Sequence, residues 1–353
     1  METNNAYYRN FESQLDPIFR PDAFSRPDDS DDKKFYRTDR FVSHLDSLAL
    51  DTARHIIKSL IVEKNPAILD LMAGWESHLP EDLDASRITG LGLNENELKN
   101  NNRLTQYVIH DMNENPELPF SDASFDVVIN TVSVDYMTQP VAVFKEVGRI
   151  LKPGGLFLVI FSNRMFPQKA VKVWQESDEN ERVILVNDFF ELSGAFEKPS
   201  RYVSKGKPRP KDDKYAHQTP VSDPIYAVYA EKKGGVSKGK RPAIRDWYGE
   251  RMSAETLEKK KRTVKETLHC PHCDEKLKKW EVPDNPFCQT WDNHFMYICF
   301  NDECPYFVRG WDRMYRETNQ GMSYRLMYNP ENDRCMPIPV PTHMALKDGI
   351  VEN

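Results

Sequence analysis

The chain of 353 residues is long for one ordinary domain and comfortable for two. With 39% hydrophobic residues it can bury a core, which excludes wholesale disorder, and its net charge of −7 argues against a surface given over to nucleic acid. No stretch reaches the roughly 18 consecutive apolar residues of a membrane span. The first residues carry no apolar run of the signal-peptide kind, so the cytoplasm is the expected location and no membrane partner is expected.

Residues 1–34 are polar, with Asp28, Asp29, Asp31 and Asp32 clustered, and predict a mostly disordered acidic tail. From Phe41 apolar residues recur at three- and four-residue steps through Leu60, which predicts a helix. Ala67–Leu71 is a short apolar run between Pro66 and Gly74 and suits a buried parallel strand. Further strands are expected at 88–93, 107–109, 125–132 and 156–161, and a helix from Pro140 to Leu151. Helices follow at about 168–176 and 187–193, then a last strand pair at 201–203 and 225–230. Strands and helices alternating at this spacing predict an α/β fold with a doubly wound, mostly parallel sheet. Residues 204–222, rich in Lys and Pro, read as an insertion between the last two strands. A basic linker and a charged helix capped by Ser253 occupy 233–267.

Such a sheet binds ligands beyond the carboxyl ends of its strands, here at residues 70–78, 92–95, 110–113 and 130–136. The first of these turns has one glycine, Gly74, and lacks the G-x-G-x-x-G that brings backbone against a pyrophosphate, so a dinucleotide is disfavoured. The run Leu118-Pro119-Phe120-Ser121-Asp122-Ala123-Ser124-Phe125-Asp126 and the run Glu146-Val147-Gly148-Arg149-Ile150-Leu151-Lys152-Pro153-Gly154-Gly155 resemble two segments of type 11, class I S-adenosylmethionine-dependent methyltransferases. The likeness is good over 67–161 and looser to 230. It implies S-adenosyl-L-methionine as cofactor and a seven-stranded Rossmann-like sheet whose last strand runs antiparallel.

By the same resemblance, Asp70 orients the methionine end of the cofactor and Gly74 is the middle glycine of the first loop. Asp111 accepts the adenine amino group, with Met112 beside the ring; a loop-capping role is the alternative for Asp111. Asn130 and Thr131 fall at the end of the fourth strand, below the reactive sulfonium. Met72 and Glu76 stand where the family has outer glycines, and its ribose-binding acid falls at Gly92, leaving Asn94 or Glu95 as substitutes. The loop Met72-Ala73-Gly74-Trp75-Glu76-Ser77-His78-Leu79-Pro80 resembles a less common subgroup with L-M-S-S-W-x-S-H-L-P, which implies a different grip on the cofactor.

A sulfonium methyl is electrophilic by itself, so the protein chiefly has to align and dehydrate, with a base needed only for a protonated acceptor. Asp135 and Tyr136 are the catalytic candidates; His78 and His44 are weaker ones, and Asp135 could equally serve as a helix cap. Tyr36, Arg37 and Arg40 open the leading helix, which in this class often lids the site.

Cys270 and Cys273 with Cys299 and Cys304 form two ligand pairs, C-x2-C and C-x4-C, 25 residues apart. Four thiolates at that spacing suit a closed structural zinc site. The pattern over 268–311 resembles the Ogr/Delta zinc finger, which implies nucleic-acid or polymerase contact, although local carboxylates thin out the positive charge. The expected organisation is a tail at 1–34, a methyltransferase domain at 35–232, a linker with a charged helix at 233–267 and a zinc-finger domain at 268–345. The expected activity is methyl transfer to a small-molecule or protein acceptor. A nucleic-acid methyltransferase or regulator is the runner-up, not favoured because the fourth strand ends Asn130-Thr131-Val132-Ser133 with no N-P-P-Y or D-P-P-Y tetrad. A catalytically silent binding protein is the third reading.

Overall fold

The computed structural model describes residues 18, 20–235, 241, 242, 244, 248, 252–283, 293–318 and 320–351. The chain divides into two compact units, one of residues 1–45, 49–202 and 225–244, the other of 46–48, 203–224 and 245–353.

In the first unit the described strands are β1 (Ala67–Leu71), β2 (Arg87–Gly92), β3 (Gln106–Ile109), β4 (Phe125–Thr131), β5 (Leu151–Phe161), β6 (Ser200–Ser204) and β7 (Ile225–Glu231). They form a seven-stranded sheet in the order β3-β2-β1-β4-β5-β7-β6. The pairs from β3 through β5 are parallel, and β7 runs antiparallel to β5. This is the doubly wound, mostly parallel sheet the alternation predicts. β1 is buried at all five positions, as a central parallel strand covered on both faces must be. Helix α2 (Ser47–Leu60) lays Ala53, Ile56, Ile57 and Leu60 on one side of the sheet, in a single cluster with Ile68, Val127, Ile129 and Leu158. After α3 (Glu95–Asn100), helix α4 (Pro140–Ile150) places Phe144 edge-on to Phe157 of β5, at 4.8 Å between ring centroids.

Several boundaries differ from the sequence expectation. The acidic tail is folded over its described part: helix α1 (Asp32–Phe35) is capped by Asp31, and Asp32 is 3% exposed. Its burial is compensated by ion pairs to Arg26 and Lys169, partners a composition count cannot supply. Residues 1–17 and 19 of that expectation lie outside the described residues. The helix expected from Phe41 begins at Ser47, because Val42 gives its carbonyl to the Trp75 indole and Phe41 packs on the Trp75 ring. After α5 (Lys172–Glu176), helix α6 runs Glu179–Ser193, eight residues earlier than expected at 187, started by a capping box of Asp178 and Glu181. Strand β5 starts at Leu151, with the Lys152–Gly155 turn taken up by a bulge against β4 and by Gly154 at φ +75°.

The second unit holds α7 (Ala254–Arg262, capped by Ser253) and α8 (Val264–Thr267). Its antiparallel sheet has the order β11-β10-β9-β8, from β8 (Lys278–Glu281), β9 (Phe295–Ile298), β10 (Ser323–Asn329) and β11 (Arg334–Val340). Helix α9 (Pro305–Thr318) meets β10 at Gly310, where any Cβ would fall 2.1 Å from Ser323 Oγ. The unit extends past the expected limit of 345: Leu346 accepts from the Trp280 indole, and Ile350 bridges to the Trp280 backbone. The insertion between β6 and β7 belongs to this unit. Lys207, 3% exposed, pairs with Asp312 at 2.8 Å, and the Trp311 ring packs over Gly206.

Candidate functional site

The sheet order reverses between β1 and β4, and the loops leaving β1, β2, β3 and β4 wall one cleft at that point. Its cavity volume is about 160 Å³.

Asp70, the last residue but one of β1, lines the cleft and is 4% exposed, with Oδ2 bonded to no protein group. Burial pushes its carboxyl up to about 7, opposed by the Ser77 hydroxyl. Asn130, opposite Leu71 on β4, is fully buried and does not line the cleft; its amide donates to the Leu71 carbonyl and to Ser133 Oγ, pinning the two strand ends together. Thr131 beside it does line the cleft, and its Oγ1 is buried without a partner. The backbone here is held in left-handed conformations by non-glycine residues: Met72 at φ +61°, His78 at +50° and the β-branched Val132 at +47°. Such conformations cost of order 1–3 kcal/mol each and persist where surroundings over-determine them.

The first loop explains the departures seen in the sequence. Its Glu76 accepts from Ser43 Oγ at 2.8 Å and Arg54 at 3.0 Å, and lies 3.7 Å from His78 Nδ1. His78 beside it holds the carboxyl down to about 2, with further help from Ser43 and Arg54. Glu76 therefore ties the loop to α2 and to the segment before it. The loop crosses the end of β2, with Ala73 N–H donating to the Leu91 carbonyl at 2.8 Å. A Cβ at Gly92 would fall 2.3 Å from the Ala73 carbonyl oxygen, so no acid fits where the family pattern puts one.

Asn94 lines the cleft, but its Oδ1 caps α3 at Glu97 N–H and its Nδ2 donates to the Tyr36 carbonyl and to Asp39. Glu95 is exposed, paired with Lys99, and does not line the cleft. Glu97 does, one turn into the helix. After β3, Asp111 and Met112 line the cleft together; Met112 is 4% exposed. Asp111 Oδ1 accepts the N–H groups of Asn113 and Glu114, so the capping alternative holds for that oxygen.

The cleft's outer wall is the part sequence reasoning weighed least. Asp32, Tyr36, Arg40, Val42 and His44 all line it, as one strap ahead of α2. Asp32 anchors the strap through Arg26 at 2.8 Å, Lys169 at 3.1 Å and Asn113 at 2.9 Å, the last residue also donating to the Tyr136 carbonyl. Tyr36 Oη is buried without a partner, and the Arg40 guanidinium lies 4.6 Å from the Phe35 ring centre and 5.2 Å from that of Phe166. A polar segment with clustered aspartates gave no apolar period to follow; the Trp75–Val42 and Asn94–Tyr36 bonds hold it in place.

Of the two catalytic candidates, Tyr136 lines the cleft and Asp135 does not. Asp135 is 2% exposed in a 3-10 turn, its carbonyl takes Val171 N–H, and burial raises its carboxyl to about 7. The Tyr136 hydroxyl oxygen accepts Phe166 N–H at 2.8 Å; burial, with Asp135 adjacent, moves its ionisation well above the ordinary phenol range. The cleft therefore holds Tyr136, as a neutral phenol, and not Asp135. His44 and His78 both line the cleft.

In the other unit, the sulfurs of Cys270, Cys273, Cys299 and Cys304 lie within 4.8 Å of one another, with 3.9 Å between Cys270 and Cys304 and 3.7 Å between Cys273 and Cys299. Tetrahedral bonds of about 2.3 Å to zinc put sulfurs about 3.8 Å apart, so the four fit that ion. Neither His272 nor His294 belongs to the group, and Cys288 lies outside the described residues. On α7, Lys260 pairs with Asp274 and Lys261 with Glu258.

Residues 70–159, which supply most of the cleft, match a family model described as a methyltransferase domain. The chain is 30% identical over 112 residues to the sterol 4-C-methyltransferase strm-1 of Caenorhabditis elegans, covering 30% of this chain and 34% of that protein. It is 31% identical over 111 residues to a demethylmenaquinone methyltransferase of Listeria monocytogenes, covering 29% and 47%. The chain thus spans between about a third and a half of the length of these relatives. An S-adenosylmethionine dependent methyltransferase from Mesorhizobium loti is a solved structure similar to it, at 15% identity and TM-score 0.35, covering 51% of this chain and 96% of that one. Among the described residues, no helix is long and apolar enough to cross a membrane.

Proposed function

We propose that the chain is an S-adenosylmethionine-dependent methyltransferase acting on a small-molecule or protein acceptor, with a structural zinc held by Cys270, Cys273, Cys299 and Cys304. The observation that carries the reading is the buried Asp70 carboxylate, with one oxygen unbonded, at the β1 end of a cleft whose walls match a methyltransferase domain. A carboxylate taken out of water needs a cationic or donor partner, and the ammonium of an amino-acid moiety is one. Tyr36 Oη and Thr131 Oγ1, also buried and unbonded, ask for further polar ligand atoms in the same cleft.

The cofactor supplies an electrophilic methyl on a sulfonium. The protein's share is to hold and dehydrate: Asp70 binds the cationic end, Asp111 Oδ2 and Met112 stand at the adenine side, and the strap from Asp32 to His44 excludes water. An acceptor that must lose a proton finds His44, His78 and the neutral phenol of Tyr136 in the cleft, and Asp135 outside it. The zinc site has four thiolates and no open position, which suits a structural role. Calorimetry with S-adenosylhomocysteine on the purified chain tests the reading. Binding at one site per chain is expected, weakened about tenfold or more in Asp111→Ala, which removes a charge-assisted hydrogen bond; absence of binding in the unaltered protein would return the fold to a silent scaffold.

A further inference from the structure

We propose that Glu97, on α3, accepts a hydrogen bond from a ribose hydroxyl of the adenosyl cofactor, replacing the acid that the path of the first loop shuts out at position 92. The inference rests on the cleft being the S-adenosylmethionine site.

Elimination among the cleft's carboxylates gives the assignment. Asp32 is taken by Arg26, Lys169 and Asn113; Glu76 is taken by Ser43, Arg54 and His78. Asp70 lies at the end of β1, and Asp111 lies after β3. A nucleoside spanning those two strand ends passes its sugar over the end of β2, which lies between them in the sheet. Vicinal sugar hydroxyls are donors, and a carboxylate is the acceptor that reads them most strongly. At the end of β2 the direct position is closed by the Ala73 carbonyl, 2.3 Å from any Cβ on Gly92, and the Asn94 amide is spent on capping. Glu97 remains.

Its surroundings fit the role. Glu97 Oε1 accepts Arg40 N–H at 2.8 Å, with Asn94 Nδ2 farther off at 3.4 Å. A carboxylate has about four acceptor positions, so capacity remains on Oε2. That oxygen lies 3.1 Å from where a Cβ on Gly74 would stand, so the absent side chain at Gly74 is what gives the carboxylate its place beside the loop. Burial raises its pKa, the usual mark of an anion short of partners.

The test is calorimetry with S-adenosylhomocysteine and its 2′-deoxy and 3′-deoxy forms, on the full chain and on Glu97→Gln. The glutamine keeps a carbonyl oxygen for Arg40 N–H. The full chain should bind at least one deoxy form about tenfold more weakly than the parent, and Glu97→Gln should bind all three alike. Equal binding of the three by the unaltered chain overturns the assignment. So does a variant that still discriminates, or one that weakens all three by the same factor, since either outcome leaves Glu97 a brace for the loop and strap. Failure of the unaltered chain to bind S-adenosylhomocysteine at all would remove the cofactor reading underneath. A second variant separates geometry from charge: Glu97→Gln combined with Gly92→Asp should not recover discrimination, because any Cβ at position 92 meets the Ala73 carbonyl.

Discussion

At Asp70, burial and ligand chemistry pull in opposite directions, and the conflict sets a pH dependence. With its folded pKa near 7 against 3.8 for an unperturbed carboxyl, Asp70 stays protonated in the empty protein well above the pH at which the unfolded chain ionises it. A raised folded pKa contributes stability at low pH that is lost as pH rises from about 4 toward 7. A cationic ligand needs the carboxylate, so binding near pH 6 should expel a proton and tighten as pH rises toward 7. Calorimetry in buffers of differing ionisation enthalpy reads that proton directly. Asp70→Asn should bind more weakly and show little pH dependence between about 5.5 and 7.5. Proton release unchanged in the asparagine variant would place the titrating group elsewhere. Asp135 also has its carboxyl near 7, but it does not line the cleft, so Asp135→Asn should leave the linkage in place.

Among the elements, those legible in the sequence are the ones whose signal is local. β1 and α4 show it: an apolar run bounded by Pro66 and Gly74, and a 3.6-residue period opened by Pro140, fix their type without reference to anything distant. The fold of the strap from Asp32 to His44 was not legible, because its order comes from Asp32 meeting Lys169 and from Val42 meeting Trp75, contacts between residues distant in the chain. The same limit applied at the site. Asp70, Asp111 and Met112 could be placed by position along a motif, whereas the closure of Gly92 by Ala73 and the retreat of Asp135 from the cleft depend on backbone paths. The cysteine pairs were legible because spacing alone brings each pair to one loop, and the fold then joins the loops. One core cluster takes in Cys270, Cys299 and Cys304 with Phe307, Trp311 and Leu326, so the cysteine group is built into a small hydrophobic body. Elemental analysis should find about one zinc per chain. Cys299→Ser should lose it and melt the second unit at lower temperature, read from the near-ultraviolet dichroism of Trp280 and Trp311. Full zinc retention in that variant would mean that the ligand set is different.

Over the whole molecule, the two units are interleaved along the chain: the path enters the second unit at residues 46–48, returns to it at 203–224, and stays there from 245. A single boundary after residue 232 therefore does not separate them. The excursion at 203–224 carries its own polar cluster, in which Arg209, 1% exposed, lies between Asp223 at 2.7 Å and Asp46 at 3.4 Å, and Asp46 also accepts Ser222 Oγ. Its other support is Lys207 against Asp312 and the Trp311 ring over Gly206, both supplied by α9. Ending the chain at residue 245 removes that second support but none of the cleft, since every residue lining it lies between 32 and 166. The truncated protein should bind S-adenosylhomocysteine within about threefold of the full chain, because additivity holds for sites that share no partners. Over the same deletion, the amide of Ser222, which donates to the Lys207 carbonyl at 2.9 Å, should lose protection from hydrogen exchange. Asp312→Asn in the full chain should move the same amide, since breaking the buried Lys207–Asp312 ion pair costs about 3–5 kcal/mol. Protection of Ser222 surviving the truncation would show that the Asp46–Arg209–Asp223 cluster suffices to fold the excursion. Loss of cofactor binding would show instead that the two units fold as one.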